Sequence, residues 1–466
     1  MNFLFKQVDV SGLVFFRMMF GILAFADMLG SWIGYVLIDD AYNSEKFHFK
    51  YYGFEWVEVM PEPFLTFYFF SMMIAGLFIA FGKWYKVMTT YYAFGFLYFF
   101  LMEKSHYLNH GYLFTMVCFL MIFLPANRAF SFDVIKNPSF RVETVENWSL
   151  FILKFMMSIV YFFGGIAKIN QDWLQAIPLK YWLRSKKDMF LLGKLWEQEW
   201  VAWFMSYGGL FLDLTVVFFL LNKKTRWWAL FFCVFFHSTN IILFMIGIFP
   251  FLSVTLTLLF FGSDFPKRTW AWLKERYAFP EKFENWRMNF LNKKNYQPIE
   301  ISQAHHSSFL NKKLITGFLV VFCSIQLLLP LRHHLFKGNV VWTEEGHRYS
   351  WRMMLRTKQG HGNFKVKSLD GKKSEHINPR EYLNRRQHRK MFGQPDMILQ
   401  FAHFLEKKYE EEWGEEIQVF ANIKTSVNGR PRVPFVDPDR DLAQVEWEFF
   451  KSADWVEPFP EGKPRD

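Results

Sequence analysis

Cysteine is scarce in this chain. Only Cys118, Cys233 and Cys323 occur in 466 residues. All three sit inside apolar segments, so they read as small buried hydrophobes and exclude a disulfide framework or a zinc site. Histidine boxes are missing too. His106 and His110 have the four-residue spacing of helical metal ligands, but His305-His306 and His333-His334 stand alone in polar flanks. A membrane di-iron oxidase needs many more, so no metal is expected. No run of about ten residues alternates as a barrel strand does, which excludes an outer-membrane barrel. No small-residue cleavage site follows the apolar stretch Leu13 to Ile38, and that stretch is too long for a signal-peptide core. It reads as a first spanning helix.

What is present divides into two unlike parts. Residues 10 to about 262 are long runs of Phe, Leu, Met, Ile and Trp; from about 335 the chain is charged and alternating. Sixty Phe suit lipid-facing and interhelix packing. A span takes about 20 mostly apolar residues. Eight such spans are expected, at about 11–37, 62–82, 86–102, 108–125, 149–169, 201–221, 226–247 and 249–262. The last is short and follows Pro250, as half of a broken helix would. A ninth segment, 314–331, is apolar enough to span or to lie at the interface. The expected fold is thus an α-helical multi-pass membrane domain of eight or nine transmembrane helices, plus a soluble, strand-rich mixed α/β domain. The expected divisions are 1–262 for the membrane domain, 263–335 for a cytoplasmic loop with the additional helix, and 336–466 for the soluble domain.

The net charge of +11 falls largely in loops between apolar runs. It therefore points to topology and not to nucleic acid. Lys83 and Lys86, Arg128 to Arg141, Lys223 to Arg226, and Lys267 to Arg276 all become cytoplasmic if the N-terminus is cytoplasmic. The basic, Trp-rich stretch 173–200 is the exception and is expected on the outer membrane surface. The soluble domain is then extracytoplasmic, facing out from an inner membrane if the chain is bacterial. Within it, Asn428-Gly429 between Val419–Val427 and Val433–Val436 signals a hairpin, and a helix is expected at about 395–411.

Ionisable groups inside a bilayer each need a reason, since one costs about 2.5 to 3.5 kcal/mol on insertion scales. Arg17 and Asp27 read as helix-packing ion-pair partners or as contacts to other spans, and Lys154 and Asp213 as a pair across spans five and six. Lys168 admits two readings, a snorkelling lysine or a desolvated amine acting as a base. Gly164 and Gly165, one turn earlier, allow a helix or ligand to approach. Asn109 and His110 open span four on the side where Lys168 ends span five, so the three are expected to share an outward cavity. His237 and Asn240 lie deeper, in span seven.

These segments resemble the vitamin K-dependent γ-glutamyl carboxylases, whose membrane part is of the horizontally transferred transmembrane type. Glu103-Lys104-Ser105 through Asn109-His110-Gly111-Tyr112-Leu113 is similar to that family's DKxxxxNHxYL. Pro125-Ala126-Asn127 with Ser131-Phe132-Asp133 is similar to xANxxxSxD, and Tyr161 to Trp173 to YFxxGxxKxxxDW. Phe211 to Leu214 and Phe236 to Asn240 follow in order. Tyr349-Ser350-Trp351-Arg352-Met353-Met354 resembles YSWxMM, and Ser426 to Arg430 with Phe435 to Pro438 resemble the closing motifs. The resemblance runs from about Val10 to Phe459. It implies that Lys168 deprotonates vitamin K hydroquinone, a menaquinol-type cofactor, with His110 and Asn109 assisting. O2 and CO2 would be co-substrates and a peptide glutamate the acceptor. It further implies His237, Asn240, Gly164 and Gly165 near the cofactor, and Tyr349, Trp351, Met353 and Arg356 near the peptide. The lipid bilayer, a lipid quinone and a Glu-containing protein are the partners implied. Arg352 and Arg356 replace an acidic residue and a histidine of the animal enzymes, in the region tied to glutamate recognition. An epoxidase without carboxylation, or a quinone-binding or transport protein without carboxylase activity, remain the alternatives.

Overall fold

The computed structural model describes residues 2–38, 42, 47–190, 192–244, 246–293, 302–304, 309–460 and 462. His305-His306 lie outside them. The apolar runs form helices α1 (Ser11–Ser31), α2 (Phe64–Phe81), α3 (Tyr85–Met102), α4 (Asn109–Phe123), α5 (Trp148–Ala167), α6 (Glu199–Leu221), α7 (Arg226–Phe244) and α8 (Phe249–Leu258). Then follow α9 (Phe265–Arg276) and α10 (Phe309–Leu328). A helix satisfies its own backbone groups, which lipid cannot do. Side chains such as Phe67, Phe94, Phe211 and Trp228 are exposed, as lipid-facing groups must be.

Six helical stretches are long and apolar enough to cross a membrane: Ser11–Leu37, Phe64–Phe81, Trp148–Ala167, Glu199–Leu221, Arg226–Phe244 and Asn311–Leu335. A seventh is the pair Phe249–Phe261 and Phe265–Arg276, if taken as one span; the pair is bent by 90°. By length and composition, then, six or seven spans are shown where eight or nine are expected. Two expected spans fall short for different reasons. Lys86, Thr89, Thr90 and Tyr91 dilute the apolar character of α3, and α4 has only 15 residues.

Two faces of the helical bundle carry further elements. At one face lies a small sheet in the order β1-β2-β3 (Gln7–Asp9, Val142–Glu146, Ser302–Ala304). The Ser263 hydroxyl accepts from the Asp9 amide there. At the other face sits the C-terminal domain. Its sheet runs β5-β4-β6-β7 (Ser374–Ile377, Lys358–Ser368, Ile417–Val427, Val433–Pro434), antiparallel throughout. In β6 the odd-numbered residues from Ile417 to Val427 are buried, the period expected of a sheet with one face packed. Helix α11 (Pro395–Trp413) covers that face, placing Phe401 and Leu405 in a core with Phe364, Val366 and Val419. The expected helix and the mixed α/β character are both present.

Buried polar contacts hold the domain down. Lys104 Nζ is 2.7 Å from Asp396 Oδ2. Glu103 Oε2 accepts from Gln387 Nε2 at 2.9 Å, and Phe49 is wholly buried in the C-terminal core. Asp172 receives both Arg430 nitrogens, at 2.7 and 2.8 Å, and Asn428 Nδ2 at 2.7 Å.

Inside the membrane one open reading is resolved and one expected pairing is corrected. Arg17 does not meet Asp27; its guanidinium donates to the carbonyl oxygens of Ala126, Ala129 and Phe130. These carbonyls belong to the loop that follows α4. Lys154 does not meet Asp213 either. Its Nζ lies 5.9 Å from the centre of the Phe260 ring.

Candidate active site

Helix α5 ends on a lysine. Lys168 caps that helix and is 5 % exposed. Its Nζ lies 2.5 Å from Asp213 Oδ2 of α6, donates to the Gly164 carbonyl at 3.2 Å, and sits 5.3 Å from the centre of the Trp173 ring. The two glycines of this segment do different things. A Cβ on Gly165 would press within 3.0 Å of the Leu214 backbone nitrogen, so its absence lets α5 and α6 close up. A Cβ on Gly164 would stand 3.2 Å from Asp213 Oδ2.

This pair lies at the edge of a cavity of about 250 Å³ between the membrane helices and the C-terminal domain. His110, Asn109, His237 and Asn240 all line it. Phe249 lies between the two histidines, its ring centre 5.6 Å from that of His110 and 5.8 Å from that of His237. The Tyr161 hydroxyl bonds His237 Nε2 at 3.0 Å. His237 Nδ1 is buried without a hydrogen-bond partner among the described residues. Asn109 is fully engaged: its Oδ1 accepts from the Tyr107 hydroxyl, and its Nδ2 donates to the Arg352 carbonyl. It therefore ties the head of α4 to the soluble domain. His106 is separated from His110 in role, bonded to Tyr42 and stacked on Tyr35. Among the described residues no group of three or more His, Cys, Asp or Glu is placed to hold a metal ion.

The chain belongs to the HTTM family. Residues 5–265 match the HTTM domain. Residues 311–462 match the lumenal domain of vitamin K-dependent gamma-carboxylase. No solved structure matches the chain. A multi-pass membrane protein with an extracytoplasmic C-terminal domain is what the apolar helices and the lumenal-domain match together support.

The lumenal-domain wall of the cavity is basic. Arg348, Arg352, Arg356 and Lys390 line it, with Glu344 as the acid among them. Arg356 holds Glu344 through two nitrogens, and Arg348 grips Asp396 in the same way. Among the described residues the Arg352 guanidinium has His333 Nε2 as its hydrogen-bond partner, at 3.4 Å. Burial pushes Lys390 down to about 8, with Arg356 and Arg386 adding to the effect. Burial also lowers Arg352 to about 10, helped by Arg356. His347 is held well below its usual range by burial and three neighbouring arginines.

Of the residues expected near a peptide, Met353 and Arg356 line the cavity and Tyr349 and Trp351 do not. Those two rings pack on Tyr112 from behind. They shape the wall instead of touching its contents. Sequence reasoning missed Tyr161, Phe249, Arg348 and Lys390. It also missed Asp213 as the partner of Lys168, although an acid within an apolar helix was itself a signal.

Proposed function

We propose that this HTTM chain is a vitamin K-dependent γ-glutamyl carboxylase-like enzyme. In this reading it couples oxygenation of vitamin K hydroquinone to carboxylation of a peptide glutamate by CO2. The observation that carries the reading is the buried Lys168–Asp213 pair, in a cavity shared with two histidines beneath a gamma-carboxylase-type lumenal domain.

When bound, the hydroquinone with O2 supplies a base far stronger than any side chain, which abstraction of a glutamyl γ-proton requires. The residues fit such a group. The walls are largely apolar with a few converging polar groups, as ligand sites are. The unpartnered His237 Nδ1 offers a hydrogen bond to a quinol oxygen, with Tyr161 fixing the ring. One proton shared between Lys168 and Asp213 leaves the amine free whenever it rests on the carboxyl group. The Lys168 nitrogen then takes a hydroxyl proton from the ligand. His110, with no hydrogen bond among the described residues, is placed to move a proton near the acceptor. Trp173, Phe236, Phe244 and Phe249 exclude water, which strengthens each of these interactions. On the lumenal wall neither Arg352 nor Lys390 forms an ion pair among the described residues, and we assign the substrate carboxylate to these two. Arg356 is matched by Glu344 and so orients the wall.

The same reading places the N-terminus in the cytoplasm. It divides the chain at 1–262, 263–335 and 336–466. It counts α3 and α4 as membrane crossings. A lipid quinol of menaquinol type would then enter from the bilayer.

The test supplies reduced vitamin K, bicarbonate and a Glu-containing peptide to purified protein, with epoxide and carboxylated product measured separately. Both products are expected from the wild type and neither from Lys168→Ala. Unchanged epoxide formation by that variant would sink the assignment. Epoxide without carboxylation by the wild type would instead favour a quinol epoxidase, consistent with the arginines at 352 and 356.

A further inference from the structure

A second cavity, of about 1150 Å³, lies at the opposite face of the bundle. Lys6, Lys223, Arg226 and Arg268 line it, with Asp264 as the acid among the lining residues. Asp264 is already taken, its Oδ2 standing 2.9 Å from Arg268 Nε. Asp9, nearby, faces Lys267 at 3.7 Å and accepts from the Ser11 amide. Lys6, Lys223 and Arg226 therefore have no carboxylate partner among the described residues. Arg226 Nε is buried with no hydrogen-bond partner among the described residues, while its guanidinium carbon lies 5.7 Å from the Phe261 ring centre. Lys154 adds a further charge from within the bundle, close enough to Arg226 for the two to repel.

The surroundings are those of a membrane surface. Trp227 and Trp228 at the head of α7 are 61 % and 67 % exposed, as aromatic residues of an interfacial belt are. Helix α9 leaves α8 at 90°, so it runs along the bilayer plane when α8 stands across it. Its sequence mixes Trp270, Trp272 and Leu273 with Lys267, Arg268, Lys274 and Arg276, the pattern of a helix lying in the headgroup region. Trp272 itself lines the cavity. A cluster of unmatched cations beside exposed tryptophans, at the level of the headgroups, asks for a phosphate that carries acyl chains.

We propose that this cavity is a binding site for the headgroup of an anionic phospholipid of the leaflet opposite the C-terminal domain. Lys223 and Arg226 hold the phosphate, and Trp227 and Trp272 flank the glycerol region. The site is independent of the quinol cavity and of the activity assigned to it.

The experiment reconstitutes full-length protein in nanodiscs of phosphatidylcholine with or without phosphatidylglycerol. Lipid that stays bound after extraction is counted by native mass spectrometry. Phosphatidylglycerol is expected to be enriched on the wild type. The enrichment should fall about fivefold for Lys223→Ala, and again for Arg226→Gln, the loss of one surface cation each. Lys337→Ala, on the other face, should leave it unchanged. Lys223 is exposed, so its removal does not endanger the fold. Equal retention of the two lipids would overturn the proposal, as would unaltered enrichment in both variants. Displacement of the lipid by millimolar inorganic phosphate alone would also overturn it, by showing a site for a free anion.

Discussion

Lys168 Nζ and Asp213 Oδ2 stand 2.5 Å apart, buried between two helices whose sequences place them 45 residues from each other. Breaking such a pair on one side leaves an uncompensated charge in a low-dielectric site, which costs about 3–5 kcal/mol. Asp213→Ala is therefore expected to lower the thermal midpoint in detergent sharply. The double variant Lys168→Met/Asp213→Leu should recover most of that midpoint and none of the epoxide formation. A double variant that oxidises quinol would remove the pair from the chemistry.

The lumenal domain is fastened through Asp172. Arg430 approaches it with two nitrogens, and Asn428 adds a third donor. Arg430→Ala strands the Asp172 carboxylate and should cost about 3–5 kcal/mol. Arg430→Lys keeps the charge and loses the fork, so it should fall between wild type and alanine. Limited proteolysis of the region after residue 336 measures the release of the domain.

Gly429 has φ of +78°, and a Cβ there would stand within 2.7 Å of three atoms of the Tyr181 ring and hydroxyl. Gly429→Ala meets both obstacles. Adding Tyr181→Ala should relieve the clash and leave only the left-handed backbone cost, about 1–2 kcal/mol. Full recovery in the double variant would show that the backbone there relaxes.

Substrate affinity should depend on pH through Lys390. Its ammonium, held near 8 by burial, is charged below that value and neutral above it. The KM for an anionic peptide is therefore expected to rise as pH passes upward through about 8. Epoxide formation without peptide should not follow that rise. Lys390→Arg, which stays charged, should flatten the profile. Arg352→Gln should raise KM at all pH values by an amount equivalent to about 1.5–3 kcal/mol, the range for a hydrogen bond to a charged group.

Much of this was legible before any coordinates. Long apolar runs place the helices, because lipid leaves them no other structure. The alternation of β6 follows from its period, the helix expected at about 395–411 is found as Pro395–Trp413, and Asn428-Gly429 does sit at a turn, with φ of +49° and +78°. The convergence of Asn109, His110 and Lys168 followed from counting sides. The roles within that group did not follow. Asn109 has both ends of its amide occupied, and Glu103, Lys104 and Asp172 of the motif segments fasten the domains.

The choice of partner for Asp213 shows where sequence stops. Lys154 and Lys168 are 14 residues apart in one helix, nearly four turns, so they share a face and differ by roughly 21 Å in depth. The sequence by itself determined two apolar spans, α5 and α6, that carry these charges. Which lysine meets the acid depends on how far α6 slides along α5. That is set by the folded segment between residues 168 and 199 and by the close approach at Gly165. Only tertiary packing decides such a register, because helix periodicity repeats along the axis and carries no mark of depth.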